Sequence, residues 1–455
     1  MEFVDSTALS TALPTLAREL HSDPVHLKLA LTSYLLALAV GVPASAWVAD
    51  RFGPRRVFVI AMGVFVTGSV LCGLSHSLTQ LVGARLFQGL GGSMMTPVGR
   101  QIVVGSSPRE RLVSAMTWFT TPAMVAPLVG PPLAGVILGV ASWPWIFFVN
   151  VPVGLVGMAV VVRVVPRLQQ PDPGRFDSWG FVLSALAITG LVVLGEIGGL
   201  NLVPVLAQWA VAGGLAAALA LYVWHARRTP RPILDLALFR HRTFAASLLG
   251  ATLVRLGLGA TPLLLPLLLQ TGLGWTPEAA GLFTIFTAIG AAATKTVVSR
   301  VIRTLGFRTV LVGSALGTAV TTAAPALFAT PTPIWVIACG LLLGGLVRSM
   351  HFSAANTLAY DEVPAAETSR ASTLSTVVQQ VGLSLGVSFG GLVLHLARGA
   401  HASAPLTPDR FVAPFILVGA TSLLAAPVYL ALPRGAGAGV GGRSVEPASV
   451  RTNAR

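Results

Sequence analysis

Charge is scarce in this 455-residue chain, with Asp, Glu, Lys and Arg together making only 10%. A soluble domain covers its surface with about 25% charged residues, so a water-soluble globular fold is excluded. Acids are scarcer than bases, 16 against 30, and the net charge is +14. The bases come in small groups between apolar runs rather than on one face or tail, which argues against a nucleic-acid partner. Cysteine is nearly absent: Cys72 and Cys339 stand far apart inside apolar runs, without the spacing of a disulfide framework or a metal site. No Walker loop is present, so ATP is not the driving force. No His/Cys cluster has metal-ligand spacing and no Ser/His/Asp set can be argued, so neither an enzyme, a metal nor a cofactor is expected. The first segment lacks the basic region and cleavage-type site of a signal peptide.

What the chain does have is apolar length. Hydrophobic residues make up 54% and mean hydropathy is +0.78. Apolar stretches recur at the ~20-residue length of a membrane span. They predict helices at about 1–17, 30–49, 57–75, 79–104, 112–139, 145–165, 179–199, 203–225, 244–272, 278–299, 308–328, 333–358, 370–395 and 412–432. The expected class is an all-α polytopic membrane protein of fourteen spans. Cytoplasmic loops of such proteins retain Lys and Arg, and the loops here test the count. With residue 1 toward the cytoplasm, 21 basic residues fall in cytoplasmic loops and tail, against Arg18, Lys28, Arg398 and Arg410 outside. Both termini are therefore expected in the cytoplasm. The organisation reads as a six-helix bundle (1–165), two extra helices with flanking loops (166–243), a second six-helix bundle (244–432) and a disordered Gly/Ala-rich tail (433–455).

The halves carry a faint internal repeat. The loop after the second span reads WVADRFGPRRVF and its second-half counterpart reads SRVIRTLGFRTV. Further motifs run in order along the chain: VDSTALSTALP, ADRFGPRR, RLFQGLGGSMMTPVGR, LVGPPLAG, WPWIFFVNVPVG and RFDSWG. On these motifs the sequence resembles the major facilitator superfamily, in particular its fourteen-helix drug/proton antiporter branch. The resemblance implies two six-helix bundles rocking about a midplane site. It implies small-molecule substrate and protons as partners, membrane lipid as surroundings, a monomer, and a bacterial cytoplasmic (inner) membrane location.

Each motif has a physical reading beside the family one. In the loop Asp50, Arg51, Gly53, Arg55 and Arg56, Gly53 permits a tight path and Pro54 starts the next helix. Topology anchoring alone would explain the arginines; the resemblance adds a latch between conformations. In the fifth span Gly130, Pro131, Pro132 and Gly135 bend the helix and allow close helix approach. The resemblance implies a contact that favours antiport, with Ala134 where the pattern usually has Gly.

Charges inside spans are costly and mark function. Arg85 sits about seven residues inside the fourth span, and the resemblance ties it to proton coupling; bonding to backbone carbonyls is the structural alternative. Asp5 is the one carboxylate well inside a first-half span. Burial favours its protonated form and a nearby Arg its ionised form, the balance a proton carrier needs. Glu196 reads as a solvated boundary residue and Arg100 as one that snorkels. In the second half Lys295 and Arg348 are placed to snorkel. Arg255, near mid-depth, is expected to face a substrate cavity, with pairing to Asp5 or carbonyls as alternatives. Gln270, Asn356, Gln379 and Gln380 either line that cavity or bridge helices.

The expected function is proton-driven export of small amphipathic compounds. A dedicated exporter of one endogenous, anionic metabolite and a non-transporting sensor of the same fold are the alternatives. Only four residues precede Asp5, about 6 Å of helix, where roughly half of a ~30 Å core should be crossed. That predicts Met1 to be an internal methionine, with the true start roughly a dozen or more residues upstream.

Overall fold

The computed structural model describes residues 1–23, 25–106, 112–166, 174–197, 204–329, 332–364, 367–398, 406–433 and 435–437, with backbone alone at Phe3 and most positions of 112–128. Arg109, Arg111 and nearly all of the expected tail lie outside the described residues. The elements are α1 (Glu2–Glu19), α2 (Lys28–Phe52), α3 (Pro54–Gly73), α4 (Leu78–Ser106), α5 (Leu112–Val140), α6 (Trp145–Val164) and α7 (Ser178–Ile197). They continue with α8 (Val205–Arg228), α9 (Arg242–Gly272), α10 (Pro277–Leu305), α11 (Phe307–Leu327), α12 (Ile334–Leu358), α13 (Thr368–Arg398) and α14 (Pro408–Leu430). Eleven are long and apolar enough to cross a membrane; α1, α4 and α5 complete the fourteen expected from the apolar runs.

Local chemistry sets the breaks. Gly53 takes φ 89°, a left-handed conformation that side chains resist, and its N–H closes α2 on the Ala49 carbonyl at 2.9 Å. Pro54 then opens α3, where the missing N–H costs nothing. Gly306 repeats the device between α10 and α11: φ is 81° and its N–H bonds the Ile302 carbonyl at 2.8 Å. The faint repeat of the two loops is thus a repeat of backbone geometry. At the other end of α10, Thr276 caps the helix by accepting from the Ala279 N–H at 3.3 Å, followed by Pro277.

Packing follows the same twofold logic. Within the first half α4 packs on α2 and α3, and α1 on α5; within the second, α12 packs on α10 and α11, and α9 on α13. Between halves, α5 packs on α10 and α2 on α13, so the second helix of each half meets the fifth of the other. The extra helix α7 lies against both α2 and α13, whereas α8 touches mainly α7. Burial matches: 72% of the most apolar stretch of α2 and of α9 is enclosed, against 11% for α8. Trp209 and Trp224 on α8 face outward, as a helix bathed in lipid requires. The helix ends beside Gly53 and Gly306 define the loop-motif end of the molecule; the ends of α1, α5 and α9 define the opposite end.

Candidate functional site

Asp5 and Arg85 meet at the centre of the first half. Asp5 comes from the first turns of α1 and Arg85 from the second turn of α4; their exposures are 2% and 0%. Arg85 Nη1 donates to Asp5 Oδ2 at 2.5 Å and to Gln88 Oε1 at 2.7 Å, and Nε donates to the Ala30 carbonyl at 3.1 Å. Asp5 Oδ1 accepts from Gln88 Nε2 at 3.1 Å and from Asn150 Nδ2 at 2.8 Å. Ser69 Oγ accepts from both of those amides, at 2.7 and 3.1 Å. The Tyr34 ring lies under the guanidinium, 4.1 Å from its centre. Side chains of α4 and α6 therefore bond the carboxylate of α1 directly, and α2 and α3 hold those donors in place.

Three donors surround that carboxylate, an arrangement suited to its ionised form. A buried ion pair is favourable where its remaining lone pairs and protons are also satisfied; Gln88 and Asn150 do this for the carboxylate, while Arg85 Nη2 has no hydrogen-bond partner among the described residues. The sequence pointed to Asp5 and Arg85 because they are charges in apolar spans. It gave no such signal for Ser69, Gln88, Asn150 or Tyr34. Gln88 was nonetheless findable: it stands three residues after Arg85, one turn along the same helix face. Asn150 follows the break at Val149 that divides α6 into Trp145–Phe148 and Asn150–Val164.

Arg85 and Tyr34 also line a cavity of about 950 Å³ between the halves, near the upper end of the size range of ligand sites. From the first half come Ser6 and Ser10 as well; from the second come Lys295, Arg348, Phe352 and Asn356. The cavity runs from Pro325 and Gly340 down to Asn356 and Thr357 in the last turn of α12. It thus reaches toward the loop-motif end. Of the residues expected at a cavity, Asn356 lines it. Arg255, expected at the cavity, is not among the lining residues, nor are Gln270, Gln379 and Gln380, for which helix bridging was the other expectation. Arg255 lies behind Phe352, 4.9 Å from its ring centre. Gln270 bridges helices instead: a π turn over Leu268–Gly272, following Pro266, aims its Nε2 at the Thr11 carbonyl, 2.8 Å away.

The fifth-span motif sits where the halves close at the opposite end. A Cβ on Gly281 of α10 would lie 2.5 Å from the Pro131 carbonyl oxygen, and one on Gly135 would lie 2.9 Å from the Pro277 carbonyl. Gly130 faces α1, where a Cβ would approach the Val4 carbonyl to 3.1 Å, beside Asp5. The motif therefore brackets α1 and α10 at once. The loop motif, by contrast, bonds within the first half. Arg55 donates to the Val162 carbonyl and Gln101 to Asp50. Arg51 and Arg56 are exposed. Arg100, expected to snorkel, reaches the second half, donating to Ser372 Oγ at 3.1 Å. Glu196, expected to be solvated, is 7% exposed and 2.9 Å from Lys28 Nζ.

The Major Facilitator Superfamily model matches residues 1–242 and 247–454. The chain belongs to the major facilitator superfamily. An MdtD protein of Klebsiella pneumoniae, named for multidrug resistance, is 38% identical over 436 residues, covering 95% of this chain and 92% of that one. The like-named protein of Escherichia coli O157:H7 is 38% identical over 434 residues, 94% of this chain and 91% of its own. Among solved structures, the nucleoside transporter NupG (D323A mutant) superposes with a TM-score of 0.65 at 13% identity, covering 94% of this chain and 97% of that chain. The D-xylose-proton symporter does so with 0.65 at 14% identity, covering 95% of both. These two show the fold. The chain is a multi-pass membrane transporter of this superfamily, not an enzyme.

Proposed function

We propose that the chain exports small amphipathic compounds across the bacterial cytoplasmic membrane in exchange for protons, by alternating access. The observation that carries the reading is the Asp5–Arg85 pair, buried in the first half with its arginine on the wall of the cavity between the halves. When a proton reaches Asp5, the carboxylate loses its charge and its hold on Arg85. The released guanidinium then turns toward the cavity, where it alters the field that substrate meets. Protonation and substrate binding are thereby linked through one arginine. The MdtD relatives, named for multidrug resistance, support efflux as the direction.

The loop-motif end is assigned to the cytoplasm because, by sequence, the connections on that side and the tail carry 21 basic residues against 4 on the other. Both termini then lie in the cytoplasm and the cavity opens inward, while the Pro131–Gly281 and Gln270–Thr11 contacts hold the outer end closed. The functional units are a first bundle over 1–165, a linking pair over 166–243 and a second bundle over 244–432, acting as a monomer. Gly130, Pro131, Pro132 and Gly135 serve as the sliding contact, and Asp50 to Arg56 as a stiff inner loop. Proteoliposomes loaded with a panel of amphipathic dyes test the reading: an imposed pH gradient drives dye movement, and collapse of the gradient stops it.

A further inference from the structure

We propose that the cavity wall formed by α10 and α12 binds the carboxylate of an amphipathic organic anion, with Lys295 and Arg348 as the recognising residues. The proposal rests on the transporter reading above and names its substrate class. Among the described residues three cations line the cavity, Arg85, Lys295 and Arg348, and no Asp or Glu does. Arg85 is matched by Asp5. Lys295 and Arg348 have no ion-pair or hydrogen-bond partner among the described residues. Their helices are tied side chain to backbone: Thr294 Oγ1 donates to the Leu346 carbonyl at 2.8 Å and Ser349 Oγ to the Ala291 carbonyl at 3.0 Å. The two cations therefore stand on adjoining strips of one wall.

Arg255 adds a third unmatched charge behind that wall. It is 2% exposed, its Nη1 has no hydrogen-bond partner, and Phe352, against which it stacks, lines the cavity. The acids between α12 and α13 have other partners: Asp361 accepts from the Gly437 N–H, Glu362 from the Thr243 N–H, and Glu367 pairs with Arg240 and His241. The acids of α9 to α14 are Glu278 and Asp409, each in a first turn at the opposite end. Unpaired cations inside spans are costly and mark a substrate path. A low-dielectric cleft of one sign concentrates the opposite ion, and a guanidinium matches a carboxylate with paired hydrogen bonds. Ser353 and Asn356, next along α12, are placed to accept or donate beside the headgroup, while Leu258, Phe352 and Phe415 offer apolar surface to the rest. By the same argument a cationic amphipath is disfavoured.

Binding in neutral detergent tests this without any gradient. Isothermal titration of the purified protein would compare aromatic carboxylates of increasing size, starting from 2-naphthoate, with their amides and their protonated amines. The acids are expected to bind tightest. Lys295→Gln and Arg348→Gln are expected to weaken the acids by roughly 10- to 100-fold and leave the amides unchanged, while Arg348→Lys keeps most of the acid preference. An acid series that binds no better than its amides, that fails to bind at all, or that loses no more than the amides in the Gln variants would overturn the proposal. Because pH-driven flux is not read, failure of proton exchange would leave this result standing, and the reverse also holds.

Discussion

Lys28 Nζ and Glu196 Oε2 stand 2.9 Å apart, with side-chain exposures of 1% and 9%. Ser388 Oγ donates to the other Glu196 oxygen at 2.5 Å. One junction thereby joins the first half (α2), the linking helix (α7) and the second half (α13). Removing one partner strands a buried charge, at a cost of about 3–5 kcal/mol, whereas replacing both by apolar residues is often neutral. Lys28→Met and Glu196→Leu are each expected to lower the melting temperature in detergent, and the double variant to recover most of the loss. Additive losses would show that the two side chains do not act as a pair.

Gly281 marks a close approach of α10 to α5, at the Pro131 carbonyl. Leucine there must push the two helices apart at the opposite end. The expected result for Gly281→Leu is a longer distance between spin labels at His21 and Thr276, together with flux reduced by roughly tenfold or more. Gly281→Ala should show the same change in weaker form. An unchanged spin-label distance in Gly281→Leu would rule out this contact as the outer closure.

Glu367, just ahead of α13, is held below the ordinary carboxylate value of 4.5, first by its hydrogen bond with His241 and then by Arg240. A carboxylate depressed in the folded state stabilises it above the ordinary value and loses that contribution as pH falls through the lower folded one. The melting difference between wild type and Glu367→Gln is therefore expected to hold from neutral pH down to about 4.5 and to close below it. Scans at several pH values check this; a difference that grows on acidification would contradict it.

The fourteen helices were legible because apolar length alone marks a span, and Asp5 and Arg85 because a charge in such a run stands out. Partners and faces were not. In a span, the lipid side and the packed side are both apolar, so the periodicity that orients a soluble helix is lost. Glu196 read as solvated until α7 packed on α2 and brought it to Lys28. Depth in the span put Arg255 at the cavity and let Arg348 snorkel, yet Arg348 lines the cavity and Arg255 lies behind Phe352. Ser69 and Asn150 are ordinary small polar residues until the helices pack, setting Asn150 on the Asp5 carboxylate and Ser69 behind the amides that bond it.

The central claim is that protons couple to transport through Asp5 and its bond to Arg85, and Asp5→Asn tests it most directly. The substitution keeps shape and removes the titrating group. In proteoliposomes the variant should bind substrate and exchange it across the membrane at equal pH, yet show no uptake driven by a pH gradient. Gradient-driven uptake at the wild-type rate in Asp5→Asn would contradict the account.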